Sequence, residues 1–279
     1  MKKLFILILF PFLLSMSCGS GTPFTQESPQ PRQEKDNHSD RWEARDPKDL
    51  PWSHLLPRYT DPKAVVAHKA YTLEYSEEHE QPLWVAYLLT REYVNGTQPR
   101  TNDFREDTDI ATVSAQLEDY RRSGYSRGHL CPAGDMKWDY QAMSESFLLS
   151  NMSPQTNAFN DGVWKRMEEQ TRRWAQYYDS LYVVTGPMLQ PGLATIGENK
   201  VSVPDYYYKI VYDPRRQEAI CFLVAQDDAK GKILENFITT IDEVESCTGL
   251  DFFPQLPDEI ETKIESQCDK KKWKWGRER

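Results

Sequence analysis

The sequence has no excess of positive charge. Its 34 Lys and Arg are outnumbered by 43 Asp and Glu, a formal net charge of −9 over 279 residues. A globally basic surface is thereby excluded. A polyanionic partner would have to be met by a local basic patch, because affinity for phosphates comes from nearby Lys and Arg. No internal repeat is present, and no Cys-x-x-Cys or His-x-x-x-His pair follows His129 and Cys131 to complete a zinc site. The one long apolar run, Leu4 to Leu14, is too short to read as a membrane-spanning helix.

That run has the layout of a bacterial-type export signal, with Lys2 and Lys3 before it and small residues after it. It ends in "LSMSC", a loose lipobox. The expectation is a signal over residues 1–17 and a lipid on Cys18, giving an exported, membrane-anchored lipoprotein, periplasmic or at the cell surface. The alternative is simple cleavage and secretion. Residues 18–49 are rich in Ser, Pro and charge and read as a disordered tether; residues 50–279 read as the globular domain. Export would place Cys131, Cys221, Cys247 and Cys268 in an oxidising compartment, where pairing is allowed. Cys247 and Cys268 are the favoured bridge, while Cys221, inside "AICFLVA", reads as a buried thiol.

Within the globular part, strands are expected over 69–75 and 83–93, joined by a hairpin at "SEEHEQP". Further strands are expected over 180–189, 205–213 and 218–226, with helical spacing near the C-terminus. The clearest helix begins near Asn160, where Val163, Met167, Thr171, Trp174 and Tyr178 recur as one apolar face. Asn160 or Asp161 could cap its start. Asn160, Trp164, Glu168 and Arg172 recur every four residues along one side. Such a stripe is either a solvated face or half of an active site, depending on what lies opposite.

The segment "GYSRGHLCPAGDM", residues 124–136, is a candidate for the other half. Phosphodiester hydrolysis needs a base, a cation at the phosphate oxygens and positive charge for the transition state. His129 can be the base. Asn160 offers a hard carbonyl oxygen suited to Mg²⁺, which accepts few protein ligands. Glu168 can hold metal-bound water, and Arg100, Arg127 and Arg172 can contact phosphate. Taken singly, His129 could equally be a structural histidine in a turn and Asn160 a plain cap.

Together, "YSRGHLCPAGDM" and "SNMSPQTNAFNDGVWKRMEEQTRRWA" resemble the DNA/RNA non-specific endonuclease family, of Serratia-type and endonuclease G-like nucleases. The resemblance rests on Arg127-Gly128-His129, Ser150-Asn151 with Pro154-Gln155, and Asn160, Trp164, Glu168 and Arg172. It runs from about residue 65 to 255. It implies an α+β, ββα-metal (His-Me finger) fold with a mainly antiparallel sheet. It implies His129 as general base, Asn160 as sole direct protein ligand of Mg²⁺ (or Mn²⁺ or another divalent cation) and Glu168 on metal waters. Arg100 and Arg172 would handle phosphate, with Arg105 a rival for the place of Arg100. Where the family has Asp before Arg-Gly-His, this chain has Ser126. The implied activity is cleavage of DNA and/or RNA without sequence preference. Arg121, Arg122 and Lys165, with Arg166 and Arg173, are candidates for the substrate rim. The tail "KKKWKWGRER" reads as a loose basic end. The competing readings are a catalytically weak nucleic-acid-binding lipoprotein of the same fold and a phosphodiesterase acting on smaller substrates.

Overall fold

A computed structural model describes residues 46–59, 61–227 and 231–276. The expected signal, Cys18 and most of the expected tether lie outside the described residues. Residues 46–49, at the end of that tether, form a short turn in which the Asp46 carboxylate caps Pro47–Asp49.

The strands are β1 (Val65–Ala67), β2 (Tyr71–Ser76), β3 (Gln81–Thr90), β4 (Ser126–His129), β5 (Met152–Gln155), β6 (Ser180–Pro187), β7 (Thr195–Ile196), β8 (Val201–Ser202), β9 (Tyr206–Asp213), β10 (Glu218–Ala225) and β11 (Ile238–Thr239). The helices are α1 (Arg91–Val94), α2 (Leu117–Tyr120), α3 (Tyr140–Glu145), α4 (Asn157–Phe159), α5 (Lys165–Tyr178), α6 (Ile241–Thr248) and α7 (Asp258–Glu265). Seven strands form one sheet in the order β1-β2-β3-β6-β9-β10-β11, and every neighbouring pair is antiparallel.

Both faces of this sheet are covered. Leu181 and Val183 of β6 join α5 in one core, while Tyr182 and Val184, one residue on, join α6 and α7 in another. The two-residue period of a strand sends alternate side chains to opposite faces, so a central strand covered on both sides reads as an unbroken apolar run, as "LYVVTG" does. Met167 and Trp174 of α5 are buried against the first face, each contributing on the order of 2 kcal/mol relative to exposure.

The strand expected over 83–93 stops at Thr90. The Thr90 hydroxyl accepts the Tyr93 N–H at 3.1 Å, capping α1. The C-terminal tail, expected to be loose, is docked through residue 276. Trp273 is buried, the Trp174 ring meets those of Trp273 and Trp275 at centroid distances of 4.8 and 5.1 Å, and the Trp174 indole N–H donates to the Lys274 carbonyl at 2.7 Å. The expected bridge between Cys247 and Cys268 is corrected as well: both are free thiols, on α6 and beyond α7. Cys268 lies against the Ala219 carbonyl of β10, which orients it toward the sheet.

Candidate active site

A separate two-stranded ribbon, β4 with β5, leads through α4 into α5. His129 closes β4, opposite Met152. Gly128 is required there because a Cβ would lie 2.2 Å from the Gln155 side chain, which packs over it from β5. Asn151 holds the next turn: its side-chain oxygen accepts the Cys131 N–H at 2.8 Å, and its amide donates to the carbonyls of Cys131 and Ser146 at 2.9 and 2.8 Å. The Ser150-Asn151 and Pro154-Gln155 segment is therefore the frame that fixes His129. Ser126 donates its hydroxyl to the Asn157 side chain, tying the start of β4 to α4.

The helix cap falls earlier than expected. Thr156 caps the first turn by accepting the Phe159 N–H at 3.2 Å, and the Asn160 N–H donates to the Thr156 carbonyl at 2.9 Å. Asn160 is inside the helix and is no cap. It opens a wide π-type turn, Asn160–Trp164, with Gly162 in non-helical backbone; such widened turns recur at functional sites. The Asn160 carboxamide makes no hydrogen bond to a described residue and lines the cleft on both of its sides.

The inner part of this cleft, about 320 Å³, is lined by Arg100, His129, Asn160, Lys165, Glu168 and Arg172 among others. The outer part adds Arg121, Ser126 and Arg127. Two aromatic rings bracket the His129 imidazole edge-on, Phe147 at 4.9 Å and Phe104 at 5.7 Å. The Arg100 guanidinium stacks over Phe147 at 4.6 Å and that of Arg127 over Phe104 at 3.9 Å. Burial, with these two guanidiniums beside it, pulls the His129 pKa down to about 3. Its Nε2 is buried without a hydrogen-bond partner. The ring is thus a neutral imidazole at neutral pH, able to accept a proton.

Opposite, the Arg172 guanidinium donates to the buried Asp135 carboxylate at 2.8 Å and lies 3.9 Å from Glu168. It passes over Gly134, where a Cβ would lie 2.8 Å from its Nη1. Burial raises the Glu168 carboxyl, against the pull of Arg172 and Lys209. The cleft therefore gathers His129, Arg100, Arg127, Glu168, Arg172 and Asn160, with Arg121 and Lys165 on its lining. Arg122, Arg166 and Arg173 are not among the lining residues. Arg105 pairs with Asp103 and donates to the Ser144 carbonyl instead.

Sequence reasoning gave Asp135 no role and missed Lys209. Lys209 of β9 is fully buried, its ammonium 4.7 Å from the Trp164 ring centre and without a hydrogen-bond partner; burial lowers its pKa, against the attraction of Glu168 and Asp135. The signal was available: in "DYYYKIVYD" the Lys occupies the same strand face as Tyr207 and Val211, both core residues.

The model of the family described as DNA/RNA non-specific endonuclease matches residues 58–259. The chain belongs to the DNA/RNA non-specific endonuclease family. Within this family it is 32% identical over 235 residues to the mitochondrial nuclease EXOG of Mus musculus, a match covering 76% of this chain and 64% of that protein. It is 32% identical over 206 residues to the mitochondrial endonuclease G of Homo sapiens, covering 68% of this chain and 69% of that one. A crystal structure of the EndoG/EndoGI complex superposes with a TM-score of 0.68 at 29% identity, over 77% of this chain and 94% of that one. The chain thus spans less than two thirds of the length of the EXOG protein. The expectation of an exported, Cys18-anchored lipoprotein is overturned by these matches, since the relatives are named as mitochondrial nucleases.

Proposed function

We propose that this protein is a divalent-metal-dependent nuclease that hydrolyses phosphodiester bonds of DNA and/or RNA without sequence preference. The observation that carries the reading is the His129 ring, its Nε2 buried without a hydrogen-bond partner, in the cleft it shares with Asn160, Glu168, Arg100 and Arg172. The donors suit a hard cation. Asn160 presents an uncommitted carboxamide oxygen and Glu168 a carboxylate, while the cleft has no thiolate among its lining residues. Asn160 would hold Mg²⁺ directly and Glu168 its water shell. Bound there, the ion would supply Lewis-acid stabilisation of charge on the phosphate.

The rest follows from the chain's own side chains. His129 takes a proton from the attacking water; its depressed pKa keeps it unprotonated at neutral pH but makes it a weaker base, which an anionic phosphate bound beside it would offset. Arg100 and Arg127, stacked flat on Phe147 and Phe104, present pre-oriented guanidiniums to phosphate oxygens. Arg172, anchored by Asp135, does the same from the helix side. These contacts read the backbone and not the bases, which accounts for the absence of sequence preference.

Supercoiled plasmid and a structured RNA, each incubated with Mg²⁺ and with EDTA, test the reading alongside His129→Ala. Cleavage in Mg²⁺ that is abolished by EDTA and reduced on the order of 10²–10⁴-fold by the substitution is expected. Metal-independent cleavage, or a His129→Ala variant within a few-fold of wild type, would sink it.

A further inference from the structure

On the sheet face opposite α5, three carboxylates converge with no base to meet them. Asp242 and Glu245 stand three residues apart on one side of α6, and Glu265 is the last residue of α7. One carboxylate oxygen from each lies within 4.8 Å of the other two. Among the described residues no Lys or Arg forms an ion pair with any of the three. Glu265 is 8% exposed, and its Oε1 is buried without a hydrogen-bond partner. A buried, unpaired carboxylate oxygen is costly to keep in a fold. The Glu245 side chain is held in place by the Phe252 N–H, which donates to its Oε1 at 2.6 Å.

We propose that Asp242, Glu245 and Glu265 form a structural Ca²⁺ site that clamps α6 to α7. Ca²⁺ takes six to eight oxygen ligands at 2.3–2.6 Å, so oxygens on opposite sides of one ion stand at most about 5 Å apart, the spacing seen here. Asp242 is exposed, which leaves one side open for the waters that complete such a shell. Mg²⁺ demands a tighter octahedron and gives up its waters reluctantly, so it suits this set less well. Electrostatics point the same way. Burial and the neighbouring Glu245, Glu261, Asp242 and Asp251 push the Glu265 carboxyl up to about 8, and burial, with Asp251, Asp242 and Glu261, raises Glu245 against the Phe252 N–H bond. Two positive charges among these groups would relieve that repulsion. The site lies with the core shared by α6 and α7, on the other side of the sheet from the cleft, so it does not depend on the nuclease reading.

The test is a CaCl₂ titration of the full chain, followed by thermal unfolding and by calorimetric binding, in wild type, Asn160→Ala, Glu265→Gln and Asp242→Asn. Asn160→Ala removes the ligand proposed in the cleft. The expected result is a Ca²⁺-dependent rise in Tm of several degrees at saturation in wild type and in Asn160→Ala. At least tenfold weaker binding is expected in Glu265→Gln and in Asp242→Asn. Asp242 is on the surface, so its variant folds even if Glu265→Gln does not. A missing shift in Asn160→Ala, or an equal shift in the Asp242→Asn variant, overturns the site.

Discussion

Thr156 and Asn160 are one helical turn apart, and the structure assigns them opposite energetics. Thr156 Oγ1 accepts the Phe159 N–H and satisfies a donor that would otherwise be orphaned at the helix start. Removing it in Thr156→Ala costs about 1 kcal/mol, which in a domain of this size lowers Tm by roughly 2–4 °C. Asn160 makes no side-chain hydrogen bond and is already in helical backbone, where Ala is the better helix former. Asn160→Ala therefore changes stability by no more than about 0.5 kcal/mol. Activity should separate the other way. Without the proposed direct ligand, Asn160→Ala loses orders of magnitude in rate and needs far more Mg²⁺, while Thr156→Ala cuts within a few-fold of wild type. Mg²⁺ titrations of plasmid cleavage and parallel thermal melts in EDTA measure both quantities. The reasoning fails if Asn160→Ala melts several degrees low while keeping its Mg²⁺ requirement, because that is the signature of a cap and not of a ligand.

Three further outcomes follow from the same geometry. The folded-state pKa of His129 lies below its unfolded value of about 6.5, so the stability tied to its neutral form is present above pH 6.5 and is lost as pH falls toward 3. Between pH 6.5 and 4.5 wild type in EDTA should lose about 2 kcal/mol more than His129→Gln, measured by urea unfolding; parallel losses would show that the ring is not held neutral. Gly128→Ala should cost about 1–3 kcal/mol by overpacking against Gln155, and Gln155→Ala added to it should recover part of that loss. Additive losses in the double variant would count against the contact. Trp273→Ala should cost about 3–5 kcal/mol and raise protease sensitivity near the C-terminus, because the buried ring closes the core over Trp174; a melt unchanged from wild type would mean that the tail is not docked.

The parts of the site carried by local chemistry were legible in the sequence. The Gly beside His129 and the two hairpins reappear, the first with its second strand ending at Thr90, and Asn160, Glu168 and Arg172 line one cleft. What the sequence hid was set by partners distant along the chain. Trp164 interrupts the expected polar stripe because it is fully buried, its indole N–H donating to the His129 carbonyl at 3.1 Å. It locks α5 to β4 instead of facing the cleft. Asn160 reads as a cap because an Asn before a periodic run usually is one; the turn Asn157–Phe159, capped by Thr156, starts the helix four residues earlier and runs on into the π-type turn Asn160–Trp164. Tail residues 270–276 read as loose by composition alone, yet Trp273 and Trp275 find the Trp174 face of α5, which no local rule announces.

The net charge of −9 and the proposed polyanionic substrate are reconciled by how the cleft distributes its cations. Arg172 is committed to Asp135 and Arg121 to Glu118. Arg100, Arg127 and Lys165 line the cleft without an ion pair among the described residues, so roughly three phosphates could be neutralised, each with the release of about 0.9 counterions on duplex DNA. That is a shallow electrostatic grip compared with proteins that hold duplex through many contacts, and it would suit the proposed nuclease, which must release both ends after a cut. The same arginines serve a second purpose. Burial disfavours the imidazolium form of His129 and these arginines beside it add to the effect, so the charges proposed to hold phosphate also help keep the proposed base unprotonated. A substitution such as Arg127→Met should therefore weaken phosphate contact and raise the His129 pKa together, and the two losses reinforce each other in acid, where a higher pKa leaves less free base.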